Sequence, residues 1–382
     1  MNNFIFHNPT KLIFGKGTIA TLSAEIPADK RILVTFGGGS VKNNGVYDQV
    51  KEALKEHTCF EFWGIEPNPS IETLRKAIKL GKESKCDFVL AVGGGSVADG
   101  SKLIASGILY DGDPWDIVIK REYSAEQSLP LACVLTLPAT GSEMNRGAVI
   151  SKKETNEKFA FYSNTPLFSI LDPQTTYTLP DFQISCGLAD TFVHVIEQYL
   201  TTTGQSPLMD RWAEGILKTI VEIAPRIIDD HTNYDDMATF MLSATMALNG
   251  FISMGVTQDW ATHMIGHELT ALHGLTHGHT LTILLPGTMW VMRNEKGDKI
   301  IQYGKRVFGV DIQDREEAIL ETIRRTEDLF LMLGFKIKLS ENGVTQKTID
   351  EIERRFTERN YKLGENRSVT PAVAREILER VF

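Results

Sequence analysis

Asp190, His194, His263 and His277 are the residues of this sequence whose types and spacing most directly promise chemistry, because all four are good ligands for a divalent metal. Asp190 and His194 are four positions apart in ISCGLADTFVHVIEQYL, so on a helix both side chains point the same way. Leu188, Phe192, Val195, Ile196 and Tyr199 interleave with them and predict a mostly buried helix, where a carboxylate without compensation is costly. In WATHMIGHELTALHGLTHGHT, His263 and His267 are four apart on a second predicted helix, with Gly274 to end it and His277 in the Gly-flanked turn beyond. A solitary helical histidine is commonly a hydrogen-bonded core or surface residue. Here five of the nine histidines share one window, and that clustering argues for ligation. An H-E-x-x-H protease site is excluded because Ala271 stands where the second histidine would be needed. Cys59, Cys86, Cys133 and Cys186 form no C-x-x-C pair, which excludes a thiolate zinc site and a thioredoxin-like motif.

The elements that must position these residues fall into two regions. Up to Pro180 strands alternate with helices: strands over 31–36, 59–62, 88–92 and 131–135, and helices over 47–55, 70–83 and 97–108. This βαβ pattern predicts a parallel sheet. Segments 146–151 and 158–162 read as a hairpin and 167–171 as a further strand, before Asp172-Pro173 and Leu179-Pro180 break the chain. Beyond that point helical periodicity recurs in 183–201, 209–223, 236–251, 314–333 and 371–381. The expectation is an α/β dinucleotide-binding domain over 1–180 and an all-helical, metal-binding domain over 181–382.

Two glycine loops end strands of the first region. Gly93-Gly94-Gly95-Ser96 runs into a helix carrying Asp99 and Lys102, and Gly37-Gly38-Gly39-Ser40 follows the first predicted strand. Glycines admit an anion to the backbone N–H groups, and a helix N-terminus adds partial positive charge. Gly93, Gly95 and Ala98 satisfy G-x-G-x-x-A, but no acidic residue ends the next strand, so the Rossmann pattern is incomplete. Such triplets are also used as plain strand-to-helix turns. Two loops on one sheet edge suit a dinucleotide, and a first loop with no carboxylate but with Ser40 and nearby Lys42 suits a 2′-phosphate, favouring NADP(H) over NAD. A third polar loop, Thr136 to Glu143, follows the next strand.

Bulk properties narrow the classes. The 382 residues have the apolar and charged fractions of a globular protein, and a formal charge of −9 gives no general attraction to nucleic acid or anionic membranes. Scattered cysteines, no signal-peptide pattern and no apolar run near the ~20 residues of a bilayer span point to the cytoplasm. Small-molecule chemistry is the leading class.

Together, GGGSVADGSK over 93–102, the loop 136–143, the Asp190-x-x-x-His194 pair and the His263 to Gly278 run resemble the iron-containing, group III alcohol dehydrogenase family. The opening FHNPTKLIFGKG, GGGSVK and QDWATHMIGHELTALHGLTHG are most similar to its NADPH-dependent aldehyde reductase and butanol dehydrogenase subgroup. The resemblance implies a dehydroquinate synthase-like architecture with nicotinamide and metal between an α/β and a helical domain, and a homodimer joined partly by the N-terminal segment. It implies Asp190, His194, His263 and His277 as metal ligands, with zinc favoured and iron, manganese or cobalt chemically acceptable. It implies Gly94, Gly95, Ser96, Asp99, Lys102, Thr136, Ser142 and Lys158 around the cofactor; Gly37, Gly38, Gly39, Ser40, Gly93, Thr140 and Leu179 complete the candidate cofactor set. Gly38 stands where NAD-using relatives often carry Asp. His267 matches a histidine beside the nicotinamide, either a proton relay or a packing residue, while His273 and His279 read as local hydrogen-bonding residues. Val97 and Glu268-Leu269-Thr270 depart from the common G-G-G-S-P and H-P-L-G patterns, which bears on the substrate pocket near the metal.

The expected reaction is metal-assisted hydride transfer between NADP(H) and short aldehydes or primary alcohols, such as butyraldehyde. A polyol (glycerol-type) dehydrogenase, a non-redox lyase or synthase of the same fold and a non-catalytic sensor are the alternatives. Trp260, Met264, Leu269 and Leu272 make the neighbourhood of the metal motif apolar, against the charged substrate a lyase would need.

Overall fold

The computed structural model describes residues 1–120 and 127–382. Among the described residues there are eight strands: β1 Lys11–Phe14, β2 Arg31–Phe36, β3 Thr58–Phe62, β4 Phe88–Gly94, β5 Leu131–Leu137, β6 Gly147–Lys152, β7 Glu157–Tyr162 and β8 Phe168–Leu171. The helices are α1 Leu22–Glu25, α2 Val46–Ala53, α3 Ile71–Glu83, α4 Gly95–Leu109, α5 Pro114–Lys120, α6 Asp181–Tyr199, α7 Pro207–Asp229, α8 Tyr234–Leu248, α9 Ala261–His273, α10 His277–Val291, α11 Arg293–Tyr303, α12 Arg315–Met332, α13 Gln346–Glu358 and α14 Pro371–Arg380. Among the described residues no helix is long and apolar enough to cross a membrane.

β1, β8, β5, β4, β2 and β3 lie in that order in one sheet whose pairings are all parallel. Its central strands are short, nearly continuous apolar runs because a parallel sheet is covered on both faces. Alternation assigns the faces: Leu33, Val89, Ala91 and Cys133 enter one core with α3 and α4, while Ile32, Val34, Leu90, Val92 and Val134 enter the other with α2. β2 connects outward to β3 and β4 connects the other way to β5, so the strand order reverses between β2 and β4. Phe36 pairs with Val92; β2 ends there with Gly37 next in the chain, while β4 runs on through Gly93 and Gly94 beside β5, at the reversal where open α/β folds bind ligands. β6 and β7 form the antiparallel hairpin expected from the sequence.

The chain divides into two compact units. One contains His7–Pro180 and His231–Asn249; the other contains Met1–Phe6, Asp181–Asp230 and Gly250–Phe382. A single cut near Pro180 therefore misplaces α8, which packs Met241 against Leu135 and Leu171 and donates from Thr245 Oγ1 to Glu143 Oε1 at 2.5 Å. Those partners all belong to the sheet unit.

The second unit is helical. Ala261, Ile265 and Leu269 of α9, Ile283 and Leu284 of α10, Ile352 and Phe356 of α13 and Ile377 of α14 share one core. Two glycines let the metal-motif helices approach. A Cβ at Gly278 would lie 2.5 Å from the Cys186 carbonyl oxygen of α6, and one at Gly266 would lie 2.7 Å from Thr280 Oγ1. Both contacts are too close for a side chain, so glycine lets α10 pack this tightly on α6 and α9 on α10.

Candidate functional site

α6 is buried along Ile184–Tyr199, and its Asp190 and His194 face the same way one turn apart, as their spacing requires. His263 lies in the first turn of α9. Gly274, at φ 68, ends that helix, and three residues later the chain enters α10 with His277 as its first residue. His277 thus opens a helix rather than sitting in a free turn, because Thr276 adopts the extended conformation of a helix N-cap.

These elements bring the ligand atoms of Asp190, His263 and His277 within 4.8 Å of one another, and His194 approaches the same Asp190 oxygen from one turn along α6. Asp190 Oδ1 lies 3.5 Å from His194 Nε2, 3.7 Å from His263 Nε2 and 3.7 Å from His277 Nε2. Ligands held at 2.0–2.2 Å around a tetrahedral ion stand roughly 3.3–3.6 Å from one another. The observed separations are those of ligands around one centre rather than of direct hydrogen bonds. His263 Nε2 is buried and finds no hydrogen-bond partner among the described residues, an orphaned lone-pair position that a metal satisfies. The residues present fit a divalent metal. Burial disfavours charge on His263, yet Glu197 and Asp190 outweigh it and push the imidazole up to about 9. The ring sits in a field that favours a positive charge at this point.

Glu197 was not among the residues singled out from the sequence. It lies seven positions after Asp190, two helical turns along the same face, and the i, i+4, i+7 pattern Asp190, His194, Glu197 is the signal that identifies it. Its carboxylate accepts hydrogen bonds from the backbone N–H groups of Thr262 (2.6 Å) and His263 (3.3 Å) and makes a short bond with His263 Nδ1.

His267 is buried one turn after His263, its ring 5.2 Å from that of His277. His273 and His279 are local hydrogen-bonding residues, to Thr348 Oγ1 and the Lys336 carbonyl, each at 2.9 Å. Glu268 turns away to α13, where Arg355 and Arg359 pair with it, and Leu269 is core. The departure from the family pattern at Glu268 therefore shapes the packing of α9 against these arginines. Trp260 stands beside the candidate metal ligands, in the left-handed conformation at φ 63, with its indole edge-on to His263 at 5.2 Å.

In the sheet unit the two glycine loops differ. At Gly38 and Gly39 an added Cβ would meet nothing within 4 Å, although Gly39 needs its φ of 106°. At Gly93 a Cβ would lie 2.5 Å from Val97, and at Gly95 2.3 Å from Thr140 Oγ1. Packing thus explains Gly93 and Gly95, while the space over Gly38 is open. Ser40 is exposed and Gly37 partly so; Gly94 caps α4. Ser96 Oγ accepts from Asn68 N–H, and Lys158 Nζ donates to Asn68 Oδ1 at 2.9 Å, so these two candidates share a partner. Thr140 Oγ1 accepts from Ser142 N–H, Thr136 is buried at the end of β5, and Leu179 is half-buried.

Lys102 departs from its expected role. Its ammonium is fully buried and donates to Ser142 Oγ (2.8 Å), Asn145 Oδ1 (3.1 Å) and the Gly147 carbonyl (2.6 Å), which uses all three protons. Asp99 accepts from Ser142 Oγ at 2.5 Å and Val149 N–H at 2.8 Å. Burial drives Asp99 upward and Lys102 downward from their ordinary values, each opposed by the other's charge. Lys102 braces the loop that follows β5 and has no proton left for a phosphate.

Two sequence models match the chain: one described as iron-containing alcohol dehydrogenase over residues 9–173, and one as the C-terminal part of that family over 184–382. The NADPH-dependent aldehyde reductase YqhD of Escherichia coli is 49% identical over 384 residues, covering 99% of this chain and 99% of its own. A probable NADH-dependent butanol dehydrogenase of Bacillus subtilis is 43% identical, covering 92% of both. Among solved structures, the E. coli aldehyde reductase superposes with a TM-score of 0.92 at 47% identity, with both chains covered in full. A butanol dehydrogenase of Thermotoga maritima superposes at 0.94 with 37% identity, over 100% of this chain and 99% of its own.

Proposed function

The chain belongs to the iron-containing alcohol dehydrogenase family, and from that membership and its site we propose that it is an NADPH-preferring, metal-dependent reductase of short aldehydes. As an enzyme it is an oxidoreductase acting between aldehydes and alcohols with a nicotinamide cofactor, as its relatives' activities indicate. The observation that carries the proposal is the convergence of three imidazole nitrogens on Asp190 Oδ1. A divalent metal there supplies Lewis acidity toward a carbonyl oxygen, and the dinucleotide supplies the hydride.

The protein's own residues do the rest. Asp190, His194, His263 and His277 hold the metal, Asp190 offsetting its charge. Three imidazoles and a carboxylate without sulfur suit Fe(II) and Zn(II) alike. The family description names iron, and the preference for zinc rests on the resemblance to the aldehyde reductase and butanol dehydrogenase subgroup. His267, one turn from His263, is placed to hold or pass a proton for the product oxygen. The exposed Phe4 and Ile5 of the N-terminal segment supply apolar surface for a homodimer, which light scattering on the purified protein would test.

The relatives divide between NADPH and NADH, so cofactor choice must be argued from this chain. Gly38 is exposed, and its Cβ position is clear to 4 Å. A carboxylate fits there without disturbing the fold; it would repel a 2′-phosphate and accept from a 2′-hydroxyl. Initial rates of NADPH and NADH oxidation with butyraldehyde are measured for the metal-loaded native protein and for Gly38→Asp. The native protein should favour NADPH, and the substitution should move the ratio toward NADH by about tenfold or more. No metal-dependent turnover with either cofactor would overturn the proposed function.

A further inference from the structure

Glu197 lies between two helices and serves both. Thr262 and His263 are in the first turn of α9, where backbone N–H groups have no intrahelical acceptor, and the Trp260 side chain supplies no cap. The Glu197 carboxylate of α6 accepts from both and, through Oε2, also holds His263 Nδ1. An ionised carboxylate can only accept, so Nδ1 must carry a proton, and in the neutral ring that binds a metal the lone pair lies on Nε2. That lone pair is on the nitrogen 3.7 Å from Asp190 Oδ1. One carboxylate thus sets where α9 begins, how the His263 ring is turned and which nitrogen is free.

We propose that Glu197 is a positioning residue for the metal: by fixing the tautomer and orientation of His263 it sets how tightly and how long the ion is held. This rests on the reading of Asp190, His194, His263 and His277 as ligands. A histidine ligand whose other nitrogen is bound to a carboxylate is a more basic and better-oriented ligand.

Glu197→Gln is nearly isosteric but has one acceptor oxygen for three N–H groups. If its NH2 faces His263, Nδ1 must accept, the proton moves to Nε2 and the lone pair is lost. If its NH2 faces Thr262, donor meets donor and the first turn of α9, which carries His263, is loosened. Either arrangement weakens the site.

The test measures zinc affinity and release by chelator competition for the native protein and Glu197→Gln. The expected result is roughly 10–100-fold weaker binding in the variant, with faster release. Affinity within twofold of native overturns the role of Glu197 while leaving the ligands standing; failure of the native protein to bind zinc overturns both. Should the variant not fold, ring 15N and 1H resonances of the zinc-loaded native protein decide. A far-downfield proton on His263 Nδ1 with Nε2 coordinated supports the assignment, and coordination through Nδ1 refutes it.

Discussion

Two buried polar clusters in this chain contain charged residues a helical turn or less apart, and they behave in opposite ways. Around Lys102 in the sheet unit every contact is a hydrogen bond of 2.5–3.1 Å and the cluster closes on itself. Around Asp190 in the helical unit the imidazole nitrogens stand 3.5–3.7 Å away, too far for good hydrogen bonds and well placed for a shared ion. A buried polar cluster that closes on itself at hydrogen-bond distance is scaffold; one whose nitrogens stand 3.5–3.7 Å around a shared oxygen is spaced for an ion. Residue type does not separate the two cases, but interatomic distance does.

The strongest way to break this distinction is to remove a ligand. Asp190→Ala should abolish metal retention and lower metal-supported aldehyde reduction by about a thousandfold, since Lewis acidity contributes several kcal/mol to such transition states. Metal analysis of the purified variant beside its rate checks this. A variant that keeps stoichiometric metal and activity would place the ion elsewhere.

Next is Lys102→Met, which should act on the other cluster alone. It leaves Ser142 Oγ, Asn145 Oδ1 and the Gly147 carbonyl without their donor and Asp99 without the neighbouring positive charge. The expected cost is about 3–5 kcal/mol of stability, read from the denaturant midpoint, with metal content unchanged. A variant of native stability that has lost only cofactor affinity would show that Lys102 binds phosphate after all.

The glycine loops repeat the contrast more gently. Gly95→Ala drives a Cβ into Thr140 and should cost about 1–3 kcal/mol, whereas Gly38→Ala should stay within about 0.5 kcal/mol of native. Equal destabilisation of the two would refute the division into a packed and an open loop.

How much was legible beforehand follows the same line. The strands β2, β4 and β5, the hairpin and helix α6 are evident in the sequence because their apolar periods match their environments. α10 is not, because it is apolar on nearly all sides and carries Pro286, leaving no helical period to read. β1 is four residues long and carries little alternation. α13 lies outside the helices expected from the sequence despite its apolar stripe at Ile349, Ile352 and Phe356, and α11 does so because its few apolar residues lie only in its last turn. The helical character of α8 is legible, but its attachment to the sheet unit depends on Glu143 and Leu171, which no local pattern announces. The four candidate ligands are legible from type and spacing. The bond from Glu197 to α9 spans 65 residues and required the fold.

A third kind of cluster, on the surface, sets the lower bound of the comparison. Glu351 of α13 accepts from Arg354 and Arg355, and these two guanidinium partners hold its carboxyl at about 2. A carboxylate whose folded value lies below its unfolded one stabilises the fold above about pH 4.5, and that contribution is lost as pH falls toward 2. Because the pair with Arg354 is solvent-exposed, the gain is small, and Glu351→Gln should lower the melting temperature by only about 1–2 °C at pH 7. The difference should shrink steadily between pH 4.5 and 2, and raising ionic strength at pH 7 should shrink it too. A difference that grew in acid would mean that Glu351 is destabilised by its surroundings, against the sense of its arginine partners. A salt-insensitive loss of several degrees would place Glu351 with the buried, self-satisfied cluster around Lys102.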